Sequence, residues 1–252
     1  MSRPLAGVDG CKGGWIAVRT GPDGLSATVQ PTFEALLAML PADALVAVDM
    51  PIGLPEHTLH GGRGPESLVR RMLGPRQSSV FSIPSRAALY AAIEPCPSIE
   101  AYHAAHRAAG IVARATSQPP RGVSIQAFGI FPKIREVDGL LRRRPELVVR
   151  IFESHPEVAF CRLNGGTPML LPKKVKGQVN PAGLAERRSL LERHGMQRYF
   201  LKLPPPAGAA ADDLLDAAVM LVTAGRIADG RACPHPDPPA RDAYGLPVAI
   251  WA

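Results

Sequence analysis

The amino-acid sequence predicts an α/β fold: a mixed sheet with a β-β-β-α-β opening, helices on both faces and a helical insertion. Three features carry this reading. Short alternating segments separated by glycine turns fill residues 5–30. A wholly apolar run, Leu45 to Val48, follows the first helical segment and ends at an acid, Asp49. The segment with the strongest helical pattern, Ala211 to Asp229, lies near the C-terminus.

The elements follow in order. Leu5 to Asp9 is a short apolar strand ending in an acid, and Gly10, Gly13 and Gly14 supply a turn. Trp15 to Arg19 alternates as a second strand and Leu25 to Gln30 as a third. Thr32 is placed to cap the helix TFEALLAML, with Glu34 in its first turn. The continuous apolar character of Leu45–Val48 suits a strand buried on both faces of a sheet. Residues from about 56 to 146 are polar, helical and broken by loops such as HGGRGP, EPCPS and SQPPRG, and read as a helical insertion beside the sheet. Arg142 to Arg144 end a helix before Pro145, where basic charge suits a helix C-terminus. LVVRIFES reads as a second buried strand. A helix around Ala185 to His194, a break at LPPPAGAA, the helix Ala211 to Asp229 and a last strand in GLPVAIWA follow. No internal repeat or long linker interrupts residues 1–252, so a single domain is expected.

Composition narrows the class. Hydrophobic residues are 46% and charged residues 20% of the 252, as in globular proteins. The formal charge of +7 favours polyanions such as nucleic acid, although an Arg-rich composition alone produces the same balance. Cys11, Cys96, Cys161 and Cys233 are scattered and form no CxxC pair, which argues against a zinc site or a disulfide framework and suggests a reducing cytoplasm. The start MSRPLAGVDG lacks the pattern of a signal peptide, and no apolar stretch reaches the ~18 residues of a membrane span. No GxxxxGK[ST] loop is present, VDGCKGG lacks GxGxxG spacing, and HGGRG has no GxSxG partner, so nucleotide loops and acyl transfer are set aside.

The chemistry-bearing residues are acids. Asp9 and Asp49 each follow an apolar strand, and would sit side by side if those strands are parallel neighbours. Asp212, Asp213 and Asp216 span an arc of about 100° on an otherwise apolar helix. ESHPE places Glu153, His155 and Glu157 after a strand; Glu153 is a candidate for a metal shell and His155 for a general base or a carboxylate-orienting group. Several hard oxygen ligands converging on one point are what Mg2+ or Mn2+ needs.

The blocks VDGCKGGWIAV, VDMPIGLP, LGPRQSSVFSIPSR, FGIFPKIREVD, ESHPEVAFCRLNGG, PKKVKG and ADDLLDAAVMLVTAGRI, in this order over about residues 5 to 250, resemble the DUF429 family. That resemblance implies a ribonuclease H-like domain and a metal-dependent nuclease. In resolvase-like members of that fold, acids lie on the first strand, at the end of the fourth and on a helix near the C-terminus. Asp9, Asp49, Asp213 and Asp216 occupy matching positions and are thereby the implied metal ligands. Lys133, Arg135, Lys173, Lys174 and Arg76, in or beside family-like blocks, are candidate phosphate contacts. GGRGPESLVRR departs from the pattern by carrying Glu66 where an Asp-containing block is expected. The expected partner is DNA or RNA, with pairing into a homodimer also open. Two other functions remain: an ATP-dependent phosphotransferase of the actin-like kind, which also opens with Asp-Gly on a first hairpin, and a non-catalytic nucleic-acid-binding module.

Overall fold

The computed structural model describes residues 3–22, 24–59, 62–92 and 97–252. Strands β1 (Leu5–Cys11), β2 (Gly14–Gly21) and β3 (Gly24–Gln30) form an antiparallel meander. Helix α1 (Phe33–Ala38) starts where the Thr32 hydroxyl accepts from the Ala35 N–H, and β4 (Leu45–Val48) follows. The next segment holds β5 (Thr58–Leu59), α2 (Pro65–Leu73), a 3-10 helix over Gly74–Ser79, α3 (Arg86–Tyr90), α4 (Ile99–Ala115), β6 (Ser117–Gln118), α5 (Ile125–Gly129) and α6 (Phe131–Arg143). The chain continues through β7 (Ile151–Glu153), α7 (Pro156–Leu163), the hairpin β8 (Lys174–Val175) and β9 (Gln178–Val179), α8 (Pro181–Arg193), α9 (Arg198–Lys202) and α10 (Ala211–Ala228). It ends in a second hairpin, β10 (Pro234–Arg241) and β11 (Pro247–Trp251).

The central sheet has five strands in the order β3-β2-β1-β4-β7. It is mixed: β1 is antiparallel to β2 but parallel to β4, and β4 is parallel to β7. Period-2 alternation sorts its side chains into two cores. Ala6, Val8, Val46, Val48 and Ile151 face one side, with α1 and α6 packed on them. Ile16, Val18, Leu45 and Ala47 face the other, under α10, α8 and α7.

The insertion is helical, as the sequence predicts, but it does not merely lie beside the sheet. Its last helix, α6, buries Phe131, Ile134, Val137, Leu140 and Leu141 in the same cluster as the strand residues, and so covers one face. LVVRIFES is a strand only from Ile151. Pro145, with its fixed φ, opens a 3-10 helix over Pro145–Val149 and leaves Val149 exposed. The proline-rich β10 pairs with β11 as an edge strand with a register shift, where missing N–H donors are tolerated. Cys11, Cys161 and Cys233 are free, and Cys96, with part of the EPCPS and HGGRGP loops, lies outside the described residues. Among the described residues no helix is long and apolar enough to cross a membrane.

Gly7 sets how closely the layers meet. A β-carbon there would lie within 2.5 Å of Leu221 N, Ala217 O and Met220 C, all backbone atoms of α10. The helix therefore rests directly on β1.

Candidate active site at the strand ends

Asp9 and Asp49 sit side by side because β1 and β4 run parallel in register, Val8 opposite Val48, and the Asp49 N–H donates to Val8 O at 2.9 Å. By strand alternation Asp9 shares the face of Gly7, and Asp49 the face of Ala47, so both point toward α10. The third acid comes from that helix. Asp216 is buried one turn before the Gly7 contact and bears electrostatically on both strand-end acids. Burial pushes the Asp9 carboxyl well above the usual carboxylate range, and Asp49 and Asp216 add to the shift. Burial, then Asp216, pushes Asp49 up to about 8. Asp216 is raised to about 6 by burial, with Lys173 pulling it down.

The other acids of α10 divide around this point. Asp213 accepts from the Ala210 N–H at 2.8 Å, capping its own helix, and burial raises its carboxyl. Asp212 is buried and pairs with Lys174 at 2.7 Å. Of the Asp213–Asp216 pair expected from sequence, Asp216 alone is buried within the cluster.

Lys173, a candidate phosphate contact, is ion-paired with Asp216 and close enough to act on Asp9 and Asp49. Burial works to lower its pKa, but Asp216 and Glu157 raise it above the ordinary lysine value. It is thus a cation embedded among acids. Its loop is anchored by Arg187, which is fully buried and missed by sequence reasoning. Arg187 grips Glu157 of α7 at 2.6 Å and donates to Leu171 O at 2.9 Å and Gly183 O at 2.8 Å. Arg187→Met is expected to leave Glu157 buried without its ion-pair partner, costing about 3–5 kcal/mol. A urea midpoint unchanged from wild type would remove this anchoring role.

The remaining candidates scatter. Glu153 shares the face of Ile151, opposite to Asp49, and both its oxygens are taken: Oε1 by Arg63 at 2.5 Å, Oε2 by Ile52 N–H at 2.7 Å and by Arg63 at 3.0 Å. Burial nevertheless holds it up near 7, against the pull of Arg63. Arg63 also bonds Glu66 at 2.7 Å, so the departure seen in GGRGPES builds a buried Glu–Arg–Glu chain. Burial lowers His155 to about 4, so it is neutral at pH 7; its Nε2 lies 3.3 Å from Ser79 O, which only accepts, and its Nδ1 is therefore the bare acceptor. A ring with that pKa is a weak base. Lys133 crosses Gly10, donates to Gly14 O and lies 4.6 Å from the Trp15 ring centre. Arg135 donates to Leu89 O and Ala92 O at the end of α3. Arg76 lies in an open groove of about 580 Å³ with Asp49, Lys173, Lys174 and Asp212, and its Nε is buried without a partner.

The donor set suits a hard divalent cation. Asp9, Asp49 and Asp216 are crowded enough to resist ionisation together, and Asp216 Oδ1 is buried with no hydrogen-bond partner. Among the described residues no three His, Cys, Asp or Glu side chains stand arranged as a ready cage; Lys173 supplies the counter-charge at Asp216 in this arrangement.

The fold and site define an α/β domain with a mixed five-stranded sheet and a buried carboxylate cluster at the end of its two central parallel strands. Residues 7–241 match the family described as "Protein of unknown function (DUF429)", and the chain belongs to that family. No curated protein and no solved structure matches it.

Proposed function

We propose that this protein is a metal-dependent nuclease with a ribonuclease H-like site, hydrolysing phosphodiester bonds of DNA or RNA. The observation that carries the reading is the meeting of Asp9, Asp49 and Asp216 beside a groove bearing Arg76, Lys173 and Lys174. Acids from the first strand, the fourth strand and a C-terminal helix are the pattern the family resemblance implies. Asp9, Asp49 and Asp216 would hold Mg2+ or Mn2+, which when bound supplies charge for the scissile phosphate and lowers the pKa of a water. Arg76 and Lys174, at the groove, bind flanking phosphates. Lys173 neutralises the acids before substrate arrives and is positioned to stabilise charge on a phosphate entering there. Asp213 fixes the start of α10, and so the position of Asp216.

Cleavage of single-stranded, duplex and branched oligonucleotides with Mn2+, compared with Asp9→Asn, tests the reading. The variant is expected to fold and to lose cleavage by roughly a hundredfold or more, together with Mn2+ binding in calorimetry. Cleavage retained by Asp9→Asn would sink it.

A further inference from the structure

A cavity of about 200 Å³ opens beside Asp9 and Asp49, and phosphate chemistry does not account for it. Val80, Phe81, Ile83, Ile130 and Ile250 make much of its wall. Its size is informative. Drug-sized ligands occupy roughly 300–1,000 Å³, while a cavity of about 150 Å³ lined by Leu, Ile and Phe holds a benzene ring. This one fits a single heteroaromatic ring system and excludes a stacked base pair.

Its polar edge is equally specific. Glu66 lines the cavity, is 1% exposed, and has Oε1 held by Arg63 while its Oε2 is buried with no hydrogen-bond partner. His155 lines it too, with Nε2–H directed to Ser79 O and Nδ1 buried and bare. Both orphan atoms are acceptors. A buried acceptor without a donor costs about 1–3 kcal/mol, so each calls for an N–H. Adenine and cytosine carry an exocyclic amine where guanine carries its O6 carbonyl and uracil and thymine their O4 carbonyl.

The cavity also adjoins the basic groove. Asp49, Ser79, Phe81 and His155 line both. A strand whose phosphates follow Arg76 and Lys174 can turn one base inward at the acids.

We propose that this cavity receives one unstacked adenine or cytosine, so that the protein acts on single-stranded or frayed nucleic acid rather than on intact duplex. Action on nucleic acid rests on the nuclease reading; the base pocket does not. Extracting a paired base costs a few kcal/mol, which a single strand largely avoids.

The test is titration of isoleucine-methyl-labelled protein with adenosine, cytidine and uridine in EDTA, where no cleavage occurs. Adenosine and cytidine are expected to shift the Ile83, Ile130 and Ile250 methyl signals, with uridine about tenfold weaker. Ile130→Trp, which fills the cavity, is expected to weaken adenosine binding about tenfold. If that variant does not unfold cooperatively, the wild-type shifts decide alone. No shift at these methyls, or equal binding of uridine, overturns the proposal. Cleavage of single strand and duplex at equal rates, without methyl shifts, removes the pocket and keeps the nuclease. Methyl shifts with no cleavage of any oligonucleotide keep the pocket and remove the nuclease.

Discussion

Gly7→Ala is expected to abolish or nearly abolish folding. Its new methyl group would come within 2.5 Å of three backbone atoms of α10, and backbone cannot rotate away as a side chain does. Ordinary overpacking costs about 1–3 kcal/mol through side-chain adjustment. Here the whole helix must lift from β1, opening the core that buries Leu215, Ala218 and Val219, so about 3 kcal/mol is a floor. Against a total stability of about 5–15 kcal/mol, that removes much of the folded population. Gly225→Ala is the control on the same helix. Its β-carbon would meet only Leu5 Cδ1, at 3.6 Å, an ordinary contact. It is expected to be neutral or to stabilise by up to about 1 kcal/mol through helix propensity. Urea unfolding of both variants decides the point. A Gly7→Ala midpoint within error of wild type would mean that α10 does not need this close approach.

The same glycine shows what could be read in the sequence and what could not. Asp9 and Asp49 were legible as neighbours because each ends a short apolar run, and acids there meet whenever the runs pair in parallel. The acidic stripe of α10 was legible too. Which of its acids turns inward was not, because the rotation of the helix is set by Gly7 against Ala217 and Leu221, a contact across more than two hundred residues. Glu153 follows an apolar strand like Asp9, yet serves the opposite face. Its face is set by the register of β7 on β4, with Val46 opposite Ile151 and Val48 opposite Glu153, and a run such as LVVRIFES does not show where that pairing begins. Lys173 reads as one more surface cation in PKKVKG; its place among acids comes from Arg187, whose role has no local signature. The β-β-β-α-β opening was read correctly, because periodicity and turns are local. The covering of the sheet by α6 was not, since a helical pattern does not say which surface it meets.

Without divalent cations, the protein is expected to lose stability as pH rises from about 6.5 to about 8, and Asp49→Asn is expected to flatten that slope. Asp49 is held up to about 8 against an ordinary 3.8, so between those values the folded chain keeps a proton that the unfolded chain has released. Where the folded state binds more protons, stability falls with rising pH. Glu153, raised to about 7, and Asp216, raised to about 6, act with the same sign over lower windows. His155 opposes them: lowered to about 4, it adds stability as pH rises from there to its ordinary 6.5, and is neutral in both states above that. The upper window therefore isolates the acids, and one such proton over about 1.5 pH units corresponds to a loss on the order of 2 kcal/mol. Lys173, ion-paired with Asp216, moderates the repulsion but does not cancel it. Cation binding by the same carboxylates displaces those protons, so Mn2+ should raise the urea midpoint more at pH 8 than at pH 6.5. A flat metal-free profile in the wild type would show that the three acids are not crowded as described. A sloping profile with equal Mn2+ stabilisation at both pH values would place the cation elsewhere, and with it the chemistry proposed for Asp9, Asp49 and Asp216.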